Sequence, residues 1–244
     1  MSPEKVPWYR VAFGPLYKAI YPHRTDEAAE REVTFVLSRI PLATGSRVLD
    51  LACGNGRHLR ALVRRGHHAI GLDLSLELLH SAARRGFRRL VRGDMRHLPF
   101  GECVFAAVFS FFTSFGYFES VEEDVAVLKE VQRVLDQRGT FFLDFLNADA
   151  VGDTLVPRSE RTLGHKQIIE ERRIEGNRVL KHVRVVGPTG EIFLDYEESV
   201  RLYRLEDIRK LLATAGLEFM EAFGSFDGHP VGQGTRLVVF ARKP

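Results

Sequence analysis

The stretch VLDLACGNGRH, residues 48–58, constrains this chain more than any other. An apolar run bounded by Gly54 and Gly56 reads as a buried strand, and the amphipathic RHLRALVRRG behind it reads as a helix with Leu59, Leu62 and Val63 on one face. A strand buried on both sides needs helices over both sheet faces, so strand, glycine turn and helix together open a parallel α/β unit. Glycines at such a turn tolerate positive φ and let main-chain N–H groups approach a ligand.

The same alternation continues. HHAIGLDL (67–74), FRRLVRGD (87–94), CVFAAVFSF (103–111) and GTFFLDFLN (139–147) read as four more strands. Between them, SLELLHSAARRG opens at Ser75 and stops at Gly86, and VEEDVAVLKEVQRVLDQRG sets Val121, Val125, Leu128 and Leu135 on one face. From about Arg161 to Tyr203 the period changes to two. HKQIIEERRI, RVLKHVRVV and EIFLDYEESVRLY, separated by the turn signals EGN and GPTG, predict an antiparallel sheet inserted after the fifth strand. RLEDIRKLLATAG then resumes the helical pattern with Leu205, Ile208, Leu211 and Leu212, and LEFMEAFGSF and TRLVVFARK read as closing strands. The expected division is an N-terminal lid over 1–30, a core domain over 31–150 and 204–244, and an insert over 151–203.

Composition narrows the class. A chain of 244 residues with 45% hydrophobic content buries a substantial core. Its most apolar run, CVFAAVFSFFTSFGYF, is broken by Ser, Thr and Gly and falls short of the roughly 20 residues of a membrane helix. With no apolar secretory region near the start, the expected location is the cytoplasm, with no membrane partner. Cys53 and Cys103 are too few for a disulfide framework or a zinc site, so no metal is expected. Net charge is only +3, yet residues 57–96 hold ten arginines against Asp73, Glu77 and Asp94. That cluster suits an anionic partner, or simply the solvent faces of two helices.

Ligand class follows from the strand ends. A dinucleotide fingerprint wants a third glycine three residues after the second, and Leu59 stands there. Asp73 closes the second strand, where a carboxylate accepts from both ribose hydroxyls, and Asp94 closes the third. Ligands of open α/β sheets sit outside these carboxyl ends, so the glycine loop and two acids together favour a nucleoside site.

These motifs resemble the class I S-adenosylmethionine-dependent methyltransferases. VLDLACGNGRH looks like the first motif of that family, GLDLS the second, GDMRHLPF the third, and FSFFTSFGYF the segment after the fourth strand. FGPLYKAIYPHR, RLYRLEDIRKLLATAG and FGSFDGHP are similar to a bacterial small-molecule subgroup that includes deoxysugar N,N-dimethyltransferases. The resemblance implies a Rossmann-like seven-stranded, mostly parallel sheet of order 3-2-1-4-5-7-6. It implies S-adenosyl-L-methionine as cofactor and an amine or hydroxyl of a small molecule as methyl acceptor. Carried over, Asp50 with Ala52, Gly54 and Gly56 would hold the methionine part. Asp73, beside Leu74, would take the ribose, Asp94 the adenine amino group with Met95 on the ring, and Ser110 and Phe111 the methionine end. Ala52 replaces the usual first glycine, and Ser110 the common Asn.

Methyl transfer requires alignment and enclosure, hence a lid. The aromatic start, with Trp8, Tyr9, Phe13, Tyr17 and Tyr21, supplies one, and Tyr17, Tyr21 and Arg24 are expected to close over the cofactor carboxylate. The acceptor pocket is expected to draw on TSFGYF, Asp144, Asn147, the insert and FDGHPVG, with Tyr117 and His229 as proton acceptors. The missing proline-paired motif after the fourth strand counts against nucleic acid. Three alternatives stay open: RNA or protein methylation, an NAD-dependent oxidoreductase, and a non-catalytic protein. The exposed strands of the insert also suit a homodimer.

Overall fold

In the computed structural model, which describes residues 6–232 and 234–244, seven strands form the central sheet. The first five residues of the expected lid lie outside the described residues. The chain begins with α1 (Trp8–Ala12), α2 (Tyr17–Ile20) and α3 (Asp26–Leu37). It continues through β1 (Arg47–Leu51), α4 (Arg57–Arg64), β2 (His68–Asp73), α5 (Leu76–Arg84), β3 (Leu90–Arg92), β4 (Phe105–Ser110), α6 (Val121–Val134) and β5 (Leu135–Leu146). A short α7 (Ala148–Thr154) leads into β6 (Arg158–Leu163), β7 (Lys166–Glu175), β8 (Arg178–Val186) and β9 (Ile192–Arg201). Last come α8 (Leu205–Thr214), β10 (Glu218–Phe223) and β11 (Arg236–Arg242).

The central sheet runs β3-β2-β1-β4-β5-β11-β10, which is the expected order once β10 and β11 are counted as its sixth and seventh strands. Pairing is parallel from β3 to β5, and β11 lies antiparallel to β5. Both faces are covered, as the apolar runs require. Phe105, Phe141 and Leu143 pack under α6 and α8, while Phe109, Phe142 and Phe240 pack under α3 and α4. Each such phenylalanine, removed from water, contributes roughly 1.5–3 kcal/mol.

Three helical or strand expectations need correction. In α6 the buried residues are Asp124, Val127, Leu128, Val131 and Val134, while Val121 is 36% exposed and Leu135 already belongs to β5. The inward face turned because Asp124 has a buried partner: the Tyr203 hydroxyl donates to its carboxylate at 2.6 Å. In α4, Val63 is 47% exposed, and Arg57 and His58 are buried beside Leu59 and Leu62. Both face Glu32 of α3, so an ion-pairing face replaced the apolar one. The insert has four strands, in the order β6-β7-β8-β9. The extra one, RSERTL, is too polar to read as a strand and pairs at the sheet edge.

The lid boundary expected at residue 30 falls inside α3, which Thr25 caps by accepting from the Ala28 N–H at 3.2 Å. Ahead of it, Ala12, Ile20 and Tyr21 pack against Ile168, Val183 and Tyr196 of the insert. The N-terminal segment is thus held between the insert and the carboxyl ends of the central strands. Acids of α3 also absorb much of the arginine cluster: Asp26 pairs with Arg60 and Arg85, Glu30 with Arg64 and Arg65, and Glu32 with Arg57. Five of the ten arginines thus belong to a seam between α3 and the helices α4 and α5. Among the described residues no helix is long and apolar enough to cross a membrane.

Candidate active site

Beyond the carboxyl ends of β1, β2, β3 and β4 lies a cavity whose empty space, its open mouth included, is about 930 Å³. Its floor is the turn after β1, where Ala52, Gly54 and Gly56 have φ of 59°, 55° and 79°. Asp73 braces that turn, accepting from the Gly54 N–H and the Ser75 N–H, each at 2.8 Å. Burial raises the Asp73 carboxyl, and hydrogen bonds from Ser75, Gly54 and Leu74 pull it back. Each oxygen keeps lone-pair capacity for a hydroxyl donor, because a carboxylate has about four acceptor sites. At the end of β3, Asp94 accepts from the main chain of Arg96 at 3.0 Å and from its guanidinium at 2.6 Å. Burial pushes this carboxyl up, but the Arg96 contacts outweigh it and leave the pKa lowered.

Aromatic rings close the opposite wall: Tyr9, Phe13 and Tyr17 from the N-terminal segment, and Phe111, Phe112, Tyr117 and Phe118 after β4. Arg24 lies between two rings, its guanidinium carbon 3.9 Å from the Tyr21 centroid and 3.8 Å from that of Phe112. It donates to the Tyr17 hydroxyl, while its buried Nε has no partner among the described residues. Arg57 reaches the same Phe112 ring at 5.2 Å, and its buried Nη2 likewise has no partner among the described residues. Two guanidinium groups with spare buried donors at one end of a nucleoside-sized cavity call for an anion. Next to them, His58 stacks on Phe111 with centroids 3.9 Å apart. Burial, then Arg57, pushes His58 down to about 4 against the pull of Glu32, so its ring is neutral at pH 7.

A second cavity, with about 1260 Å³ of empty space including its open mouth, lies on the far side of Arg24, Phe112 and Tyr117, which line both spaces. The insert supplies its far wall with Arg172, Lys181 and Glu198, and His23, Thr113 and Arg236 complete it. Phe112 and Thr113 both hold positive φ, 59° and 57°, and this unusual pair is pinned by Asp144. The Asp144 carboxylate accepts from the Phe112 N–H at 2.7 Å, and its carbonyl accepts from the Thr113 N–H at 2.8 Å.

A methyltransferase domain model matches residues 48–139, the segment that builds the cofactor-side turn and strand ends. The chain is 30% identical to a dTDP-3-amino-3,4,6-trideoxy-alpha-D-glucopyranose N,N-dimethyltransferase from Streptomyces venezuelae, over 93% of this chain and 97% of that one. It is also 30% identical to a cypemycin N-terminal methyltransferase from Streptomyces sp, over 86% of this chain and 89% of that one. The crystal structure of an S-adenosylmethionine-dependent methyltransferase from Clostridium acetobutylicum superposes with a TM-score of 0.79 at 21% identity, over 93% of this chain and 95% of that one.

The chain belongs to the class I S-adenosylmethionine-dependent methyltransferases. It is an enzyme, and its methyl donor is S-adenosyl-L-methionine. The first cavity brings together carboxylates at the ends of β2 and β3 and, beyond the glycine turn, guanidinium nitrogens of Arg24 and Arg57 that have no partner among the described residues.

Of the residues expected to hold cofactor, Ala52, Gly54, Asp73, Leu74, Asp94, Met95, Phe111 and Arg24 line the methyltransferase's first cavity. Four others do not. Asp50 is 1% exposed behind the turn, and its Oδ2 has no partner among the described residues. Burial lifts its carboxyl to about 8, with Arg57 and the Leu59 N–H opposing and Asp73 adding. Gly56 caps α4, and a Cβ there would meet the Phe87 ring at 2.9 Å, so its glycine serves helix packing. Ser110 is buried within β4. Tyr21 turns its hydroxyl to Glu198 and Lys181, on the second cavity, because the insert draws it away from the cofactor side.

On the acceptor side Tyr117 stands between the two cavities, and burial raises its phenol, so at neutral pH it offers a hydroxyl and takes no proton. His229 is exposed and lines neither cavity, because the loop carrying FDGHPVG packs Phe226 on Phe35 and Phe142 instead. Asp144 and Asn147 are likewise buried supports; Asn147 caps α7, accepting from the Asp149 N–H at 3.1 Å. Sequence reasoning missed Arg57, His58, His23 and Arg236. Their positions depend on how α3 and β11 dock, although the pair RH directly after the glycine turn was visible.

Proposed function

We propose that this methyltransferase N-methylates an amino sugar that carries an anionic group. The observation that carries the reading is the junction of two cavities at Arg24, Phe112 and Tyr117, the first built for an adenosyl ligand and the second lined by Arg24, Arg172, Lys181 and Arg236. An open pocket beneath the insert that sets Glu198 beside Arg24, Arg172, Lys181 and Arg236 suits a compact acceptor carrying both an amine and an anionic group, and the Streptomyces venezuelae relative is named for a dTDP-linked amino sugar. Half of the arginine cluster is paired with acids of α3, which counts against an extended nucleic acid as acceptor.

In this reading Asp73 holds the ribose, Asp94 and Met95 the adenine, and Arg24 with Arg57 the carboxylate. When bound, S-adenosylmethionine supplies a methyl group on a sulfonium, so the C–S electron pair leaves with sulfur as the acceptor nitrogen lone pair forms the new C–N bond. The residues therefore need chiefly to align and enclose, which supplies about 7–11 kcal/mol of the barrier. An amine arrives as an ammonium and must lose a proton first. His23 lines the acceptor cavity, and partial burial, then the charges of Arg24, Arg57, Lys181 and Arg161, lower its pKa, so its neutral imidazole takes that proton.

The test offers three acceptors with isotopically labelled cofactor: a dTDP-linked amino sugar, the same sugar with hydroxyl in place of amine, and a short peptide with a free N-terminus. Label on the amino sugar nitrogen supports the reading. Label on the peptide alone, in line with the cypemycin relative's name, overturns it. A cytoplasmic location and pairing of two copies through the exposed edge of β9, with Ile192 and Phe193, complete the proposal; a monomer in light scattering would remove the pairing.

A further inference from the structure

The loop that carries Tyr117 and Phe118 to the cofactor cavity is held by its main-chain oxygens, and the holders come from the insert. Arg178, at the start of β8, donates to the carbonyls of Phe118 and Glu119, the latter at 3.3 Å. Arg201, at the end of β9, donates through Nη2 to the Glu119 carbonyl at 2.5 Å and through its own N–H to the Gly116 carbonyl at 2.8 Å. Gly116 has φ of 76°, and a Cβ there would sit 3.2 Å from the Arg201 carbonyl, so loop and strand meet without space for a side chain. Arg201 is itself fixed: its Nε lies 3.4 Å from the Asp124 carboxylate, which also accepts from Tyr203.

Three successive facts give this contact a purpose. The strand ends that grip the loop also line the acceptor cavity, through Val179 next to Arg178 and Val200 next to Arg201. The gripped loop places Tyr117 against Trp8, with ring centroids 4.7 Å apart, and so closes the lid side of the cofactor cavity. Tyr117 is also shared by both cavities. We propose that Arg178 and Arg201 are positioning residues that fix the Tyr117–Phe118 wall of the cofactor cavity from the acceptor side, so that the insert sets cofactor affinity as well as acceptor shape. Neither arginine lines the cofactor cavity, so each acts through the loop carbonyls.

Arg201 is buried, and its replacement threatens the fold; Arg178 is only partly buried and gives the cleaner variant. The experiment compares wild type with Arg178→Met and Arg178→Lys in three readouts: melting temperature without ligand, emission of Trp8, which is the chain's single tryptophan, and the Kd of S-adenosylhomocysteine. Losing charged-donor hydrogen bonds that hold the wall is expected to raise that Kd about tenfold in Arg178→Met. Trp8 emission should shift in the ligand-free variant while melting changes little, and Arg178→Lys should recover most of both. Unchanged Kd and emission in Arg178→Met overturn the proposal. So does a Kd loss that merely follows a melting loss and that lysine does not rescue. The inference rests on the cofactor cavity described above; wild type that fails to bind S-adenosylhomocysteine would sink that site assignment, whereas the ligand-free Trp8 emission still decides the brace.

Discussion

Asp144 accepts the main-chain N–H of Phe112 at 2.7 Å and thereby holds a phenylalanine at φ 59°, a conformation side chains rarely adopt. The same carboxylate pairs with Arg236 at 2.6 Å and is 1% exposed. Because Phe112 is the ring on which Arg24 and Arg57 stack, the strained residue is where both cavities meet, as stored backbone strain often is. Asp144→Ala leaves Arg236 without its buried partner, so it should lower stability by about 3 kcal/mol. Chemical denaturation checks the loss, and S-adenosylhomocysteine affinity should fall with it.

The two spare guanidinium donors give a sharper ligand test. Arg24→Met and Arg57→Met should each weaken S-adenosylhomocysteine while leaving 5′-methylthioadenosine, which lacks the amino acid end, nearly unaffected. A charge-assisted hydrogen bond contributes roughly 1.5–3 kcal/mol, so calorimetry should read a loss of about tenfold or more for the first ligand. Equal losses for both ligands would mean the arginines merely shape the cavity.

Ala52 occupies the turn at φ 59°, where an L side chain is disfavoured and glycine is not. Ala52→Gly should raise stability by roughly 0.5–1 kcal/mol, with cofactor affinity retained. Thermal melts on matched samples are sufficient to see the sign.

Stability should carry a pH signature from Asp50. Burial raises its carboxyl from the ordinary carboxylate range to about 8, so the folded state keeps a proton that the unfolded chain releases above about pH 4. The favourable contribution is complete below the unfolded pKa and is lost as pH climbs through the folded one. Asp50→Asn removes that dependence. Between pH 5 and 8 wild type should therefore lose stability relative to Asp50→Asn, and a constant difference across that range would contradict the assignment.

Proton removal is assigned to His23, so His23→Gln should depress kcat most above the lowered imidazole pKa, where wild type holds a neutral base, and the two should converge at low pH as the acidic limb attributed to the imidazole disappears. Tyr117→Phe should lower kcat with the pH profile unmoved, since its phenol is held protonated by burial. His229→Ala should alter neither, given its exposed place outside both cavities.

The fold was legible because each core strand carries its own boundary signals. SRVLDLA ends in glycines, Ser75 caps α5 by accepting from Leu78 at 3.2 Å, and Gly86 follows that helix at φ 94°. The same strand ends made Asp73, Asp94 and Gly54 readable as a nucleoside site. What escaped depends on contacts between distant segments. Asp124 lies off the face that Val121, Val125, Leu128 and Leu135 define, yet Tyr203, far along the chain, gives it a buried partner. Arg57 and His58 open a helix with nothing local to pair them, and Glu32 meets both from α3. Tyr21 was assigned to the cofactor from its place in an aromatic segment, but Glu198 of the insert holds its hydroxyl. Periodicity reports which face is apolar and cannot report which charge another element will neutralise.

The central claim is that the carboxyl ends of β1 to β4 form the adenosyl site, with Arg24 and Arg57 beyond the glycine turn. A crystal structure with S-adenosylhomocysteine tests it most directly. The account predicts ribose hydroxyls on Asp73, adenine beside Asp94 and Met95, and the carboxylate within hydrogen-bond reach of both arginines. A ribose bound elsewhere, or a carboxylate that touches neither arginine, would contradict it.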